Sequence, residues 1–185
     1  GMLVEHYDSR LTNAGDIVRR VGIPVLASLP TSDDQQSDDF WLPEEMSMAD
    51  YVNDQYRNIR TAVLFGQGTR PGLIVVTAPP AAETKTTLRV TLAISIARSG
   101  RTVLLVDTDL GSPSLSDVFD LPASPGFSDV LRNPASLAQA ISRTRVERLS
   151  VMPAGSHLEH SAELLSSPSG RSLFDSLVSS FEHII

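Results

Sequence analysis

Two stretches of the chain pair an apolar, β-branched run with residues that could do phosphate chemistry. These residues are Lys85, Thr86, Thr87, Asp107 and Asp109. A lysine at a helix start can meet a phosphate, helped by free amides and the positive end of the helix dipole. A threonine hydroxyl and a carboxylate can hold Mg²⁺, while a second carboxylate can accept a hydroxyl proton. The spacing therefore predicts a site for a phosphate-bearing ligand.

The loop before Lys85 departs from the phosphate-binding pattern G-x-x-x-x-G-K-[ST]. Pro79 and Thr84 stand at its two glycine positions. Such a loop turns several N–H groups towards phosphate, which needs backbone angles that glycine adopts readily. A β-branched residue at a position of positive φ costs on the order of 1–3 kcal/mol, or roughly one to two decades of affinity. The sequence keeps the charged atoms of a nucleotide site and lacks the glycines that shape it.

Composition excludes several classes of protein. The 185 residues suit one domain with a short appendage, and the absence of cysteine excludes disulfides and thiolate metal sites. Of the net charge of −7, residues 31–50 contribute seven acids and no base, so no basic stripe for nucleic acid remains. His157 and His160 lie near Glu159 and Glu163 and could be drawn as a metal site, but the resemblance given below places them on a polar loop. No run is long enough for a membrane-spanning helix.

Apolar periodicity predicts alternating strands and helices, typical of a parallel sheet with helices on both faces. Ligands of such sheets bind beyond the carboxyl ends of the strands, where Lys85 and Asp107 fall. The predicted strands are 73–77, 102–106 and 149–152, with 73–77 expected to be buried on both faces. The predicted helices are 49–65, 86–99, 114–119, 128–131, 136–141, 161–166 and 171–181. Upstream, a short helix is predicted from Asn13 or Asp16 to Gly22, then an extended segment over 24–29.

Five motifs resemble those of one family. APPAAETKTT resembles the loop S-P-x-P-G-E-G-K-[ST]-T, and VLLVDTDLG resembles an apolar run followed by D-x-D-x-R. SPSLSDVFDLPASPGFSDVL and VMPAGSHLEHSAELLSS match further segments, and DQYRNIRTAVLF resembles a helix with the pattern E-x-x-R-x-x-R. Together they resemble the bacterial tyrosine kinases (BY-kinases), the cytoplasmic P-loop domains of capsular and exopolysaccharide chain-length determinants, also called polysaccharide co-polymerases.

The resemblance implies a P-loop NTPase-like fold, ATP and Mg²⁺ as cofactors, and a role for each candidate residue. The implied nucleotide-binding residues are Ala82, Thr84, Lys85, Thr86 and Thr87. The implied Mg²⁺ ligands are Thr86 and Asp107, and the implied catalytic residues are Asp107 and Asp109.

The resemblance also implies partners and a location. Residues 1–30 are similar to the tail that follows the second membrane helix of chain-length determinants, 31–48 form an acidic linker, and 49–185 form the kinase-like domain. The expected partners are the membrane domain of a polysaccharide co-polymerase and its export machinery, at the cytoplasmic face of the inner membrane, with this chain itself soluble. The helix carrying Asp54, Arg57 and Arg60 is expected to join subunits of a homo-oligomer, or else to be a plain ion-pair face.

Departures from the family pattern decide between two functions. Both loop glycines are replaced, Gly111 stands in place of the motif arginine, and no tyrosine occurs after Tyr56. The Walker B strand would start near His183, so the domain looks truncated before that strand's aspartate. The sequence favours a regulatory or assembly module with impaired ATP binding. The alternative is an active tyrosine autokinase with a divergent loop. A third candidate, a ParA-like ATPase, is disfavoured by Pro80, which stands where that branch has a lysine.

Overall fold

The computed structural model describes residues 14–29, 48–67, 72–78, 84–156 and 165–185. It divides into two compact units, residues 1–63 and 64–185. Within the described ranges, no helix combines the length and the apolar content needed to cross a bilayer.

The first unit contains helix α1, Ala14–Val21, and most of helix α2, Met48–Gln67. Gly22, at a φ of +72°, follows α1 and donates its N–H to the Val18 carbonyl. Both helices therefore confirm their sequence predictions. The segment 24–29 is described but forms no strand, because Pro24 lacks an N–H for a ladder and no neighbouring strand in the described ranges pairs with it.

The second unit is an α/β layer structure around a five-stranded sheet of order β1-β5-β2-β4-β3. Its strands are β1 Gly72–Leu73, β2 Val103–Val106, β3 Ser142–Arg143, β4 Leu149–Met152 and β5 His183–Ile184. Its helices are α3 Thr84–Arg98, α4 Leu115–Phe119, α5 Phe127–Arg132, α6 Leu137–Ala140 and α7 Pro168–Ser180, with a 3₁₀ turn at Pro134–Ser136. All pairings are parallel except β3 with β4, which is antiparallel.

The central strand β2 is buried along its whole length and carries helices on both faces. Leu104 and Val106 join the cluster formed by α5 and α7, which includes Phe127 and Leu177. Side chains alternate along a strand, so the other two residues of β2 face the opposite side, where α3 packs. α3 ends at Arg98, and Gly100, two residues later, has a φ of +94°, which is suited to the turn that closes a helix. The predicted fold, a P-loop NTPase-like sheet covered on both faces, is confirmed.

The edges of the sheet differ from the sequence prediction. β1 pairs only over Gly72–Leu73, with backbone hydrogen bonds from Gly72 to Glu182 and from Ile74 to Ile184, and it lies at an edge. The expectation that 73–77 is buried on both faces is therefore wrong: Leu73 and Val75 are 48% and 78% exposed. Exposed and half-buried side chains alternate over 73–77, so the described elements cover one face of this segment and leave the other open. The opposite edge strand, β3, was not predicted because its two residues are too few to show alternation.

Two loops cross at the carboxyl end of β4, and both come from motifs that resemble the family. We call this the loop crossing, formed by residues 126–129 and 153–156. Phe127 N–H donates to the Pro153 carbonyl at 2.8 Å, and Ser128 N–H donates to the Ala154 carbonyl at 2.9 Å. A Cβ at Gly126 would lie 2.3–2.6 Å from backbone atoms of the other loop. The two backbones are therefore too close for any residue but glycine at this position.

Candidate functional site

Three elements converge where the sequence predicts a phosphate site. The first turn of α3 supplies Lys85 and Thr86, the residues after β2 supply Asp107 and Asp109, and the turn before α4 supplies Ser114. The parallel sheet produces this arrangement, because the carboxyl end of β2 faces the start of the helix packed against it.

Asp107 is fully buried and its carboxylate is surrounded by donors. Oδ1 accepts from Arg89 Nη1 at 2.9 Å and from the Asp109 N–H at 3.3 Å. Oδ2 accepts from the Ser114 N–H at 2.9 Å and from the Leu115 N–H at 3.0 Å. A buried carboxylate needs this degree of compensation. Asp107 thus fastens the end of β2 to the start of α4.

Arg89 is the functional residue that sequence reasoning missed. Its side chain is 8% exposed, it pairs with Asp107, and its Nη2 donates to Ser114 Oγ at 2.6 Å. Its buried Nε has no hydrogen-bond partner in the described part of the chain. A signal was present in the sequence: Arg89 precedes Leu92, Ala93 and Ile96 at helical spacing, on the face of α3 that is buried. An arginine on such a face needs a buried acid.

Lys85 is paired with Asp109 rather than free for a ligand. Its Nζ donates to Asp109 Oδ2, and the two side chains are 28% and 30% exposed. The hydrogen bond from Lys85 is the main cause that holds the pKa of Asp109 below its ordinary value. Burial opposes this shift, while the Ser112 N–H and the charges of Lys85 and Arg89 add to it. Asp109 is therefore held as a carboxylate and is a weak proton acceptor.

Thr86, the other residue of the Lys-Thr pair, belongs to the hydrogen-bond network of Arg89 and Ser114. Its Oγ1 lies 3.0 Å from Ser114 Oγ, the hydroxyl that also accepts from Arg89. Thr87 is exposed. We call Lys85, Arg89, Asp107 and Asp109 the charged cluster. It holds two cations and two anions, paired with one another.

The charged cluster as arranged does not fit a bound Mg²⁺. Both oxygens of Asp107 already accept two hydrogen bonds each, and the Thr86 hydroxyl is shared with Ser114. A cation would also lie beside the guanidinium of Arg89. Because Arg89 remains charged at any ordinary pH, the repulsion cannot be relieved by loss of a proton.

Other predicted site residues lie away from the cluster or outside the described ranges. Ala82, Pro79, His157 and His160 fall outside them, as does most of the predicted helix 161–166. Thr84 is the first residue of α3, and its side chain is not described. On α2, Arg57 and Asp54 form an ion pair of 3.4 Å, and Arg60 follows one turn later. Their role as an interface stays a prediction. Among described residues, no group of three His, Cys, Asp or Glu could hold a metal.

A small cavity of about 190 Å³ borders the charged cluster at Arg89. Its lining includes Arg89, Val106, Thr108, Phe174 and Ile185. Most of this lining is apolar, so the cavity gives the unpartnered Nε of Arg89 little that could accept its hydrogen bond.

The chain is similar in sequence to bacterial tyrosine kinases. It is 27% identical over 135 residues to the putative tyrosine-protein kinase CapB of Staphylococcus aureus, which covers 72% of this chain and 59% of the relative. It is 29% identical over 186 residues to the tyrosine-protein kinase ptk of Acinetobacter johnsonii, which covers 96% of this chain and 25% of the relative. The chain thus spans less than two thirds of either relative. No family model matches it.

Solved structures agree with these relatives. The chimerical protein CapA2B2 matches with a TM-score of 0.75 and 26% identity, over 94% of this chain and 74% of that one. The septum site-determining protein MinD of Pyrococcus horikoshii, complexed with Mg-ADP, matches with a TM-score of 0.50 and 27% identity, over 63% of this chain and 47% of that one. The resemblance drawn from the motifs is confirmed, since the curated relatives are bacterial tyrosine kinases.

Proposed function

From this kinship with the bacterial tyrosine kinases of capsule and exopolysaccharide synthesis, we propose that the chain is a kinase-like regulatory or assembly module that binds ATP poorly and transfers no phosphate. One observation carries the proposal: Lys85, which would meet phosphate, is already paired with Asp109, and Asp107, which would hold the metal, is already paired with Arg89.

The two ion pairs are unequal obstacles to a nucleotide. The Lys85–Asp109 pair is partly exposed, so opening it costs at most about 1 kcal/mol. The Arg89–Asp107 pair is buried, and separating such a pair costs about 3–5 kcal/mol. Thr84 is helical, as the first residue of α3, so the strain of roughly 1–3 kcal/mol that a positive φ would cause does not arise there. The buried pair opposes Mg²⁺ at Asp107 rather than phosphate at Lys85, so it is the main reason to expect weak binding of ATP as its Mg²⁺ complex.

The proposed role follows from what remains after phosphoryl transfer is lost. The module would act beside a polysaccharide co-polymerase membrane domain and its export machinery at the cytoplasmic face of the inner membrane. Residues 1–30 would serve as the juxtamembrane tail and 31–48 as the linker to the domain at 49–185. The face with Asp54, Arg57 and Arg60 would join copies of the domain into a homo-oligomer.

An active tyrosine autokinase is the second candidate, and one observation favours it. Lys85 and Thr86, with Asp107 and Asp109, meet at the carboxyl end of β2, where a P-loop enzyme would need them. In that case Ala82, Thr84, Lys85, Thr86 and Thr87 would surround the phosphates. Thr86 and Asp107 would be the candidate Mg²⁺ ligands, and Asp109 the proton acceptor.

Calorimetric titration with ATP and Mg²⁺ separates the two candidates. We expect a dissociation constant weaker than about 100 μM, equivalent to about −5.5 kcal/mol. Lys85→Ala is the control, and Arg98→Ala, at the other end of α3, is its matched variant. Tighter binding that disappears in Lys85→Ala and persists in Arg98→Ala would overturn the proposal of impaired ATP binding. Restoring glycine at positions 82 and 84 should raise the affinity if loop shape is the principal defect.

A further inference from the structure

We propose that Arg89 is a built-in cation that takes the place of a divalent metal at Asp107, so that any nucleotide reaching Lys85 is bound without Mg²⁺. The inference rests on the proposed function only in treating the charged cluster as a nucleotide site. It assigns to Arg89 a specificity that no motif in the sequence predicts.

The contacts of Arg89 lie where a metal would need them. Its Nη1 is 2.9 Å from Asp107 Oδ1, and its Nη2 is 2.6 Å from Ser114 Oγ. Ser114 Oγ is in turn 3.0 Å from Thr86 Oγ1. The guanidinium therefore engages Asp107 directly and Thr86 through one hydroxyl, and these are the two residues predicted to hold Mg²⁺.

Charge balance makes the exclusion strong. Asp107 is fully buried, and one guanidinium already neutralises it. In the absence of a nucleotide, a divalent ion added to this pair would leave an excess charge of +2 beside a buried carboxylate. Arginine does not lose its proton, so the excess cannot be relieved in that way.

Arg89 also has no alternative place in the described structure. Its side chain is 8% exposed, and its Nε has no hydrogen-bond partner among described residues. The cavity that Arg89 helps to line is otherwise lined mainly by apolar groups such as Val106, Phe174 and Ile185. A guanidinium pushed from Asp107 into that cavity would give up its two bonds and gain none from those groups. The pair with Asp107 is therefore the stable arrangement.

Manganese binding tests the exclusion directly, because free and bound Mn²⁺ differ in their electron paramagnetic resonance signals. The full chain is compared with Arg89→Gln and with Arg98→Gln, a matched exposed arginine on the same helix. We expect Arg89→Gln to bind one equivalent of Mn²⁺ at least tenfold more tightly than the other two proteins. Of the three proteins, only Arg89→Gln should show a higher melting temperature when Mn²⁺ is added. Arg89→Gln combined with Asp107→Asn should lose this binding again.

Two outcomes would overturn the inference. One is a folded Arg89→Gln that binds Mn²⁺ no better than the unsubstituted chain. The other is stoichiometric Mn²⁺ binding by the unsubstituted chain that Asp107→Asn removes. The second comparison does not use Arg89→Gln, so it tests the exclusion of Mn²⁺ even if that variant does not fold. Absence of Mn²⁺ binding both in the unsubstituted chain and in Asp107→Asn supports the exclusion.

ATP titrations in EDTA and in Mg²⁺ distinguish failure of this inference from failure of the proposed function. Tight ATP binding of equal strength in both buffers would refute impaired binding and leave the role of Arg89 standing. ATP binding that requires Mg²⁺ and is lost in Asp107→Asn would refute the role of Arg89.

Discussion

The loop crossing and the charged cluster lie at the carboxyl ends of neighbouring strands, yet they keep the family's pattern to different degrees. The crossing retains both of its glycines, Gly126 and Gly155. The charged cluster follows a loop that has neither glycine of the P-loop pattern. The crossing is held by backbone hydrogen bonds and close approach, whereas the cluster is held by side-chain ion pairs.

The difference shows how two kinds of constraint act on a sequence. At Gly126 a single added carbon would meet the backbone of the other loop, and at Gly155 the φ of +88° adds to the crowding. Only one residue type satisfies such a site. Charges are less restrictive, since a carboxylate is stabilised by a metal, a lysine or an arginine. A cluster can therefore exchange one cation for another while the fold around it persists.

Among the substitutions that test this comparison, the largest loss of stability should come from Arg89→Met, which removes the cation that compensates buried Asp107. We expect the free energy of unfolding to fall by about 3–5 kcal/mol. Urea denaturation followed by circular dichroism measures it. The double variant Arg89→Met with Asp107→Asn should lose less than the two single losses added together, because no buried charge is then left alone. A loss below about 1 kcal/mol in Arg89→Met would mean that the pair is not buried as described.

The loop crossing is tested by Gly126→Ala, with a smaller expected effect. The new Cβ would overlap backbone atoms, and overpacking of this kind costs about 3 kcal/mol when the neighbours cannot move aside. Gly111→Ala is the matched control, since the nearest atom to its Cβ would be 3.8 Å away. Urea denaturation should show a loss in Gly126→Ala and nearly none in Gly111→Ala. Equal stability of the two variants would show that the crossing tolerates a side chain.

Most of the fold could be predicted because its signals are local. The β2 run is apolar throughout, α3 repeats its apolar residues at helical spacing and is followed by Gly100, and both features appear in the structure. The edges could not be predicted, because Leu73 and Val75 have the composition of a buried strand. Their exposure depends on what packs on each face of the sheet, and this is a property of tertiary structure rather than of local sequence.

The sequence could predict which residues form the site but not which of their charges pair. The motifs identify Lys85, Thr86, Asp107 and Asp109, and the structure brings all four together. They do not say which carboxylate faces which cation. That choice depends on Arg89, whose partner lies 18 residues further along the chain and is close only because α3 packs on β2.

The smallest effect on stability should come from Lys85→Met. It distinguishes the partly exposed Lys85–Asp109 pair from the buried Arg89–Asp107 pair. The Lys85–Asp109 pair is partly exposed, so its loss should cost less than about 1 kcal/mol. The pKa of Asp109 should nevertheless rise, because the hydrogen bond from Lys85 is the main cause of its low value. A lowered pKa in the folded state adds stability above the ordinary aspartate value of about 3.9, and that stability disappears as pH falls through the folded-state pKa.

Lys85→Met should therefore differ from the unsubstituted chain near neutral pH and converge with it in acid. Nuclear magnetic resonance titration of the Asp109 carboxyl measures the pKa, and urea denaturation at several pH values measures the stability. Arg98→Met is the control, since that exposed arginine is not among the causes of the shift. An unchanged Asp109 pKa in Lys85→Met would mean that the two side chains do not pair in solution. Lys85 would then be free for phosphate, and the weak binding would rest on the loop and on Arg89 alone.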